Sequence, residues 1–250
     1  MDEISDDSSQ KVSKVVIPKT NFLSNSSNVY QNLVVRTEKT VGLSALKPNA
    51  LTQQNTVLKT NFEPNNFEIL INDKEISISG NSKTIESLEN EIFGSNVSLQ
   101  LNGRGQNKGK SVKSGKIYIP LKISITNPRI ETEKDLFPYC YYEDFILEWN
   151  ADPNNEEGLL VIAQYTGKTA VPDYANESPV TNTDFIENDS GRAVLKNELF
   201  DGMPNTAIVN IILLRGNVQI FEEDGEIHKF YAESHEILPI ILIKDLDILE

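Results

Sequence analysis

The chain has 250 residues, a formal net charge of −14, 38% apolar residues and one cysteine. This acidity argues against a general nucleic-acid binder and against adhesion to anionic membranes, because both need a basic surface. A single cysteine excludes an internal disulfide framework and a multi-cysteine zinc site. No apolar run reaches the ~18 residues that a bilayer-spanning helix requires, so no transmembrane segment is expected.

Residues 1–62 are polar and contain only short apolar groups, which predicts an N-terminal tether or arm. The alternative is that residues 33–36 and 57–59 form edge strands of a sheet. The start, MDEISDDSSQ, lacks the pattern of a signal peptide. Export would therefore require that a signal peptide has been removed.

Residues 63–119 are predicted to form a small β domain with one short helix. Residues 67–71 and 75–79 alternate on both sides of a polar turn, which predicts a hairpin. Residues 82–93 carry apolar residues at helical spacing and precede a glycine, which predicts the helix. Strands are expected at residues 97–101 and 116–119, with a glycine- and lysine-rich loop at residues 103–115 between them.

Residues 120–250 are predicted to form an immunoglobulin-like β-sandwich, which makes the chain as a whole all-β. About seven short strands with turn signals every ~8–12 residues are typical of that fold. The aromatic stretch at residues 138–167 is predicted to be a central two-stranded hairpin. Phe145, Leu147 and Trp149 share one face of its first strand and are the predicted core.

The last part of the chain is predicted to alternate short strands with turns. Residues 207–214 are apolar and rich in β-branched side chains, as is typical of a central strand. Gly216 and Asn217 are turn formers, so a turn is expected at residues 215–217. Two further, separate strands are predicted at residues 228–232 and 237–243.

The loop at residues 103–115 carries basic residues and no acidic residue, namely Arg104, Lys108, Lys110 and Lys113. In so acidic a chain, this loop could dock an acidic partner or a phosphate-bearing glycan. The alternative is a mobile hairpin tip that the lysines keep soluble. The spacing does not fit GxxxxGK[ST], so no phosphate-binding P-loop is predicted.

Oxygen ligands alternate in the loop at residues 150–157, as calcium sites often require. The candidate metal ligands are Asn150, Asp152, Asn154 and Glu156. The order of an EF-hand loop is absent, and the alternative is a solvated, exposed turn.

Catalytic motifs are not evident in the sequence. His228 and His235 are seven residues apart and would bind one metal only with help from neighbouring carboxylates. Cys140 lies among tyrosines and is expected to be a small core residue. We therefore predict that the protein is not an enzyme and that it has no cofactor, with calcium as a weak alternative.

Three tyrosines, Tyr139, Tyr141 and Tyr142, stand at the start of the aromatic stretch. They could stack on a sugar or contact a protein partner, and they could equally be rim residues with hydrated hydroxyl groups. All three cannot point inward from one strand, so at least part of the group is expected at the surface.

Residues 120–128, PLKISITNP, follow a polar leader and a small β unit. With EWNADPNNEEG and LFDGMPNTAIVNIILLRGN downstream, they resemble exported, lipid-anchored surface proteins of Bacteroidota-type bacteria. The resemblance implies an immunoglobulin-like fold and an extracellular or periplasmic setting. It implies no particular activity.

The leading functional hypothesis is a non-enzymatic, exported binding or structural protein of the cell surface or periplasm. It would have a protein or glycan partner and would not bind nucleic acid. One alternative is a structural component of a virion or another large assembly. The other is a glycan-binding module or an accessory protein of a glycoside hydrolase.

Overall fold

The computed structural model describes residues 31–41, 52–60, 64–78, 82–84, 89–129, 137–169, 178–223 and 226–245. The predicted all-β fold is confirmed, because strands in three sheets make up most of these ranges. The α-helix described in them, α1 (Glu89–Ile92), has only four residues. None of the helical segments in these ranges is long and apolar enough to cross a membrane.

The strands vary widely in length, from three residues to 18. The first eight are β1 (Gln31–Val41), β2 (Thr52–Thr60), β3 (Phe67–Ile71), β4 (Lys74–Ile76), β5 (Ser82–Thr84), β6 (Ser95–Gly103), β7 (Ser111–Ile119) and β8 (Ile125–Asn127). The others are β9 (Tyr139–Tyr141), β10 (Ile146–Trp149), β11 (Leu159–Thr169), β12 (Val180–Ile186), β13 (Arg192–Val194), β14 (Ala207–Glu223) and β15 (Glu226–Ile243).

The longest strands, β14 and β15, form one antiparallel hairpin that is paired continuously from end to end. The turn predicted at residues 215–217 is wrong, because Arg215 pairs with Ser234 and Gly216 with Glu233 inside the ladder. The break predicted between residues 232 and 237 is also wrong, since β15 runs through it. Tertiary pairing overrides the local turn preference of Gly216 and Asn217.

This hairpin is the middle of the largest sheet, which has the order β12-β11-β14-β15-β1-β2-β5, with β9 beside one end of β15. β1 runs parallel to the first half of β15, and β9 runs parallel to its last residues. Within residues 1–62, strands β1 and β2 therefore occupy both positions of the alternative prediction, residues 33–36 and 57–59. Residues 1–30, 42–51 and 61–62 lie outside the described residues.

A first core lies between this sheet and a three-stranded sheet of order β13-β10-β8. Phe145, Leu147 and Trp149 are 5%, 0% and 4% exposed and enter the core from the β10 side. The hairpin predicted for residues 138–167 is wrong, because β10 pairs with β8 and β13 while β11 pairs with β12 and β14. The two strands face each other across the core instead. The immunoglobulin-like topology stays a prediction.

A second core lies under a four-stranded sheet of order β4-β3-β6-β7. The hairpin predicted within residues 67–79 is confirmed as β3 and β4. Alternate residues of β3 and β6 are buried here, and Phe230 and Ala232 of β15 join them. One long hairpin therefore contributes to both cores. The domain boundary between residues 119 and 120 stays a prediction.

Two smaller predictions need correction. The helix predicted for residues 82–93 is reduced to α1, because β5 pairs with β2 in the large sheet; residues 85–88 lie outside the described residues. The loop predicted for residues 103–115 ends earlier, because β7 starts at Ser111 and pairs with β6. Lys113 is thus a strand residue rather than part of a hairpin tip.

Candidate functional site

A buried ion pair stands at the middle of the long hairpin. The Arg215 and Asp189 side chains are 0% and 1% exposed, and Nη1 lies 2.6 Å from Oδ2. Asp189 also accepts hydrogen bonds from Trp149 Nε1 at 2.7 Å and from Asn155 Nδ2 at 3.1 Å. We call these four residues the buried clasp.

The remaining donors of Arg215 bind three backbone carbonyl groups and one side-chain amide oxygen. Its Nε donates to Leu121 O at 2.8 Å, and its Nη atoms donate to Lys122 O at 3.2 Å, Asn150 O at 3.3 Å and Asn150 Oδ1 at 3.4 Å. A guanidinium carries five N–H donors and no acceptor, and these contacts use its fork fully. The buried clasp therefore joins β14, the segment before β8 and the end of β10, which is a structural role.

Asp152 has a similar anchoring role. It is fully buried, and its carboxylate accepts hydrogen bonds from Tyr118 Oη and Leu121 N, both at 2.8 Å, and from Asn154 N at 3.2 Å. The expectation of a wholly exposed turn at residues 150–157 is wrong, because Asp152 and Asn155 are 0% and 5% exposed. These residues hold the crossing between the two sheets.

The four candidate calcium ligands have different structural roles. Asn150 Oδ1 accepts from Ser124 N at 2.7 Å and its Nδ2 donates to Lys122 O at 2.8 Å. Asn154 and Glu156 are exposed, whereas Asp152 points inward. Across the described residues, no group of three or more His, Cys, Asp or Glu side chains could hold a metal ion.

The two histidines are also separated by the fold. His228 and His235 both lie on β15, and seven positions along one strand place them on opposite faces. His228 is buried, and His235 Nδ1 lies 3.6 Å from Glu233 Oε1. The strand geometry does not bring the two imidazoles to one site.

Tyr118 gives a spectroscopic test of the Asp152 anchor. Burial, followed by the hydrogen bond to Asp152, raises the pKa of Tyr118 from 10.0 to about 12. The folded state favours the neutral phenol, so this contribution to stability is complete below pH ~10 and is lost as the pH rises from about 10 towards 12. The difference in phenolate absorbance between the wild type and Tyr118→Phe isolates the titration of Tyr118. It should appear near the upper end of that pH range.

The matched variant for this titration is Asp152→Asn. It removes the carboxylate but leaves the Tyr118 phenol in place, so the phenolate signal of Tyr118 should appear at lower pH than in the wild type. A Tyr118 signal that titrates near pH 10 in the wild type, or that does not move in Asp152→Asn, would show that this hydrogen bond is not formed in solution.

The three tyrosines lie on and beside β9 and are not equivalent. Tyr139 and Tyr141 are 55% and 36% exposed, while Cys140 between them is buried at 4%. Tyr142 is half-buried, and its N–H donates to Ile243 O at 3.1 Å. The strand therefore presents two tyrosine rings on its outer side and holds a small cysteine against the core.

The backbone of β9 has an outward-facing edge. Ile241 N donates to Pro138 O and Tyr142 N donates to Ile243 O, so these groups face β15. In a parallel ladder alternate residues direct both backbone groups to the same side, so those of Tyr139 and Tyr141 point away from β15. Within the described residues, β9 pairs with β15 alone.

Carboxylates surround the tyrosine rings. The Tyr141 and Tyr142 rings meet edge to face, with centroids 5.3 Å apart, and Tyr142 Oη donates to Glu143 Oε1 at 2.9 Å. Burial and the charges of Glu143 and Asp245 raise the pKa of Tyr141. Asp245 is exposed and lies two residues after Ile243, the β15 partner of Tyr141. We call Tyr139, Tyr141, Tyr142, Glu143 and Asp245 the acidic tyrosine edge.

The basic candidates from the sequence divide into two groups. Arg104 Nη2 lies 2.5 Å from Glu75 Oε1 and 3.9 Å from Glu68 Oε1, so its charge is paired. Lys108 and Lys110 are exposed, as are Lys113 and Lys116 on β7. None of these four ammonium groups forms an ion pair with a residue that the structure describes. We call the four lysines the basic ridge.

No protein-family model matches the chain, no curated protein matches it, and no solved structure matches it. The sequence pattern indicates the three tyrosines but not the site carboxylates, of which Glu143 directly follows Tyr142 while Asp245 is distant in sequence. The pattern also does not indicate Arg215 and Asp189. One available signal was that Arg215 directly follows eight residues of a mainly apolar strand, where a charge needs a buried partner.

Proposed function

We propose that the protein is a non-enzymatic binding or structural protein that holds a partner polypeptide at the acidic tyrosine edge. The observation that carries this proposal is the outward-facing backbone of Tyr139 and Tyr141 on β9, a strand with exposed aromatic side chains. An extended segment can add to such an edge through main-chain hydrogen bonds, and side-chain contacts then give specificity.

The charges at this edge define the partner further. Glu143, Asp144 and Asp245 are exposed acidic residues on or next to it. The neighbouring cation, Lys244, is engaged, because its Nζ donates to Phe200 O at 2.7 Å and lies 5.7 Å from the Tyr142 ring centroid. Ammonium and guanidinium groups favour both carboxylates and aromatic faces. The partner segment is therefore extended and basic.

The buried polar groups support a non-enzymatic role. Arg215, Asp189 and Asp152 have the strong hydrogen-bonding groups that catalysis often uses, and each is occupied by contacts that tie chain segments together. Catalytic groups need reach to a reacting atom, whereas these are sealed in the interior. These buried groups stabilise the fold, and partner binding is assigned to the surface.

A peptide titration tests this function. A labelled peptide of alternating lysine and valine should bind, and one of alternating glutamate and valine should not. Tyr141→Ser should weaken binding about tenfold, or about 1.4 kcal/mol, because it removes an aromatic anchor beside the paired strand. Fluorescence anisotropy measures the affinities.

Two controls separate strand pairing from general stickiness. Val194→Ser changes an exposed apolar residue on β13 and should leave binding unchanged. Methylating every backbone nitrogen of the basic peptide should abolish binding, because neither edge of the peptide could then donate to β9. Equal binding of both peptides, or an unchanged affinity in Tyr141→Ser, would rule the acidic tyrosine edge out as the site.

The cell surface or periplasm is the setting that goes with this proposal, supported by the resemblance of residues 120–128 and the segments after them to exported proteins. Fractionation of the source cells tests the setting independently of the binding site. Recovery of the full-length protein only from the cytosol would reject export and leave the peptide result untouched.

A further inference from the structure

We propose that the partner at the acidic tyrosine edge is the basic ridge of a second copy of this chain. The inference rests on the proposed function and names the occupant of the same site. Strand β7, which carries two lysines of the ridge, is the last strand of its sheet and pairs with β6 alone within the described residues, so its other edge can pair with β9 of a second copy. Each chain then offers one edge and one ridge, so that copies join head to tail.

The basic ridge is unusual for this chain. The chain has 37 acidic and 23 basic residues, yet residues 103–119 contain no acidic residue. Lys108, Lys110, Lys113 and Lys116 stand exposed along this segment without ion pairs to described residues. A cluster of like charges without ion pairs in the described part of the chain repels itself, and an anionic surface relieves that repulsion.

The acidic tyrosine edge is the complementary surface. It offers the Glu143 carboxylate, which accepts from Tyr142 Oη at 2.9 Å, and the exposed Asp245, two residues after the β15 partner of Tyr141. Its two tyrosine rings meet at 76°. Lys244 Nζ already lies over the Tyr142 ring, which shows that the edge accommodates an ammonium group. A lysine brought in by another chain meets both an aromatic face and a carboxylate there.

The basic ridge and the acidic tyrosine edge of one chain are too far apart to contact each other. Gly115 on β7 lies next to Gln219, because a Cβ atom added to it would be 3.0 Å from the Gln219 side chain, and Gln219 pairs with Phe230 of β15. Tyr139 of β9 pairs with Ile241 of the same strand. Phe230 and Ile241 are eleven residues apart on the same strand, or roughly 36 Å at about 3.3 Å per residue. The two surfaces therefore sit at different ends of the long hairpin, and their contact must join two copies.

Such a contact is heterologous, because different patches of the two copies meet. Heterologous contacts produce a ring when the rotation closes and an open filament when it does not. Because the contact depends on exposed charges, it weakens as salt screens them. The proposal therefore predicts reversible, salt-sensitive association of the purified protein without any other component.

The experiment compares three proteins by light scattering and sedimentation. The ridge variant carries Lys108→Gln, Lys110→Gln and Lys113→Gln, and the edge variant carries Glu143→Gln and Asp245→Asn. The wild type should associate at low salt, and the affinity of this association should fall at least about tenfold at high salt. Each variant alone should be monomeric. Arg192→Gln with Lys196→Gln removes two exposed cations elsewhere and should associate like the wild type.

Mixing the two variants gives the decisive result. The ridge variant keeps an intact edge and the edge variant keeps an intact ridge, so an equimolar mixture should form a one-to-one dimer and stop there. Neutral substitutions are used so that no new attraction is created between the altered surfaces. A mixture that stays monomeric, or a variant that associates as the wild type does, would overturn the head-to-tail contact.

The failure of this inference can be told apart from the failure of the proposed function. If the wild type stays monomeric up to about 1 mM while the basic peptide still binds the acidic tyrosine edge, self-association is wrong and the binding function stands. If neither a second copy nor the peptide binds the edge, both proposals fall together.

Discussion

Arg215→Met should lower the free energy of unfolding by about 3–5 kcal/mol, because it leaves the Asp189 carboxylate buried without its cation. Both side chains are essentially inaccessible to water, and their atoms lie 2.6 Å apart. The substitution also removes the donors that the part-buried carbonyl groups of Leu121 and Lys122 bind. Urea denaturation followed by far-ultraviolet circular dichroism measures the loss.

Arg192→Met is the matched control for this loss. Arg192 also pairs with a carboxylate, at 3.4 Å from Glu148, but the two side chains are 57% and 43% exposed. Exposed pairs contribute at most about 1 kcal/mol, so this variant should be nearly as stable as the wild type. Equal, small losses in Arg215→Met and Arg192→Met would contradict the structural role of the buried clasp.

Trp149→Ala should also cost about 3–5 kcal/mol, the usual range for removing a large buried aromatic side chain. Trp149 is 4% exposed in the first core, and its Nε1 donates to Asp189 at 2.7 Å. The change therefore leaves a cavity and also takes one donor from the buried clasp. Because it is the single tryptophan, chemical denaturation of this variant must be followed by circular dichroism rather than by fluorescence.

Trp149→Phe separates the two contributions. It keeps an aromatic ring in the core and removes the indole N–H, so the loss should be smaller, about 1–3 kcal/mol, since Asp189 keeps Arg215 and Asn155 as partners. If Trp149→Ala instead kept its stability and lost peptide binding, Trp149 would belong to a binding site and its place in the core would be wrong.

Arg215→Met also tests whether the long hairpin makes the protein one cooperative unit. Arg215 pairs with Ser234 of β15, and β15 supplies residues before that position to the second core and residues after it to the first. If the cores unfold together, tryptophan fluorescence and circular dichroism of Arg215→Met should give the same transition midpoint. Separate midpoints would indicate that the second core unfolds independently of the first.

Local alternation was enough to predict several strands. In β3 and β6, buried positions alternate with less buried ones at the period of two that a half-buried strand requires, and the hairpin of β3 and β4 follows from a polar turn between two such runs. Residues 207–214 were predictable for the same reason. The inward placement of Trp149 required only its neighbours Phe145 and Leu147 at alternate positions.

The partners of these strands were not predictable in the same way. β10 and β11 are consecutive and each looks like half of a hairpin, yet they lie in different sheets. The reason is the fully buried Asp152 between them, whose hydrogen bonds to Tyr118 and Leu121 hold the connection across the core. Those partners are more than 30 positions away, so no local pattern signals them.

The sequence by itself determined that this is an all-β protein with an acidic surface, an exposed lysine-rich segment and a tyrosine cluster, because composition and period-two alternation are local properties. Only the tertiary structure decided that Arg215 continues a strand instead of turning the chain, and that β9 presents Tyr139 and Tyr141 on an outward edge. Both depend on a distant residue, Asp189 in one case and Ile243 in the other. Long-range pairing outweighs local turn preference when it satisfies a buried charge or a backbone group that water cannot reach.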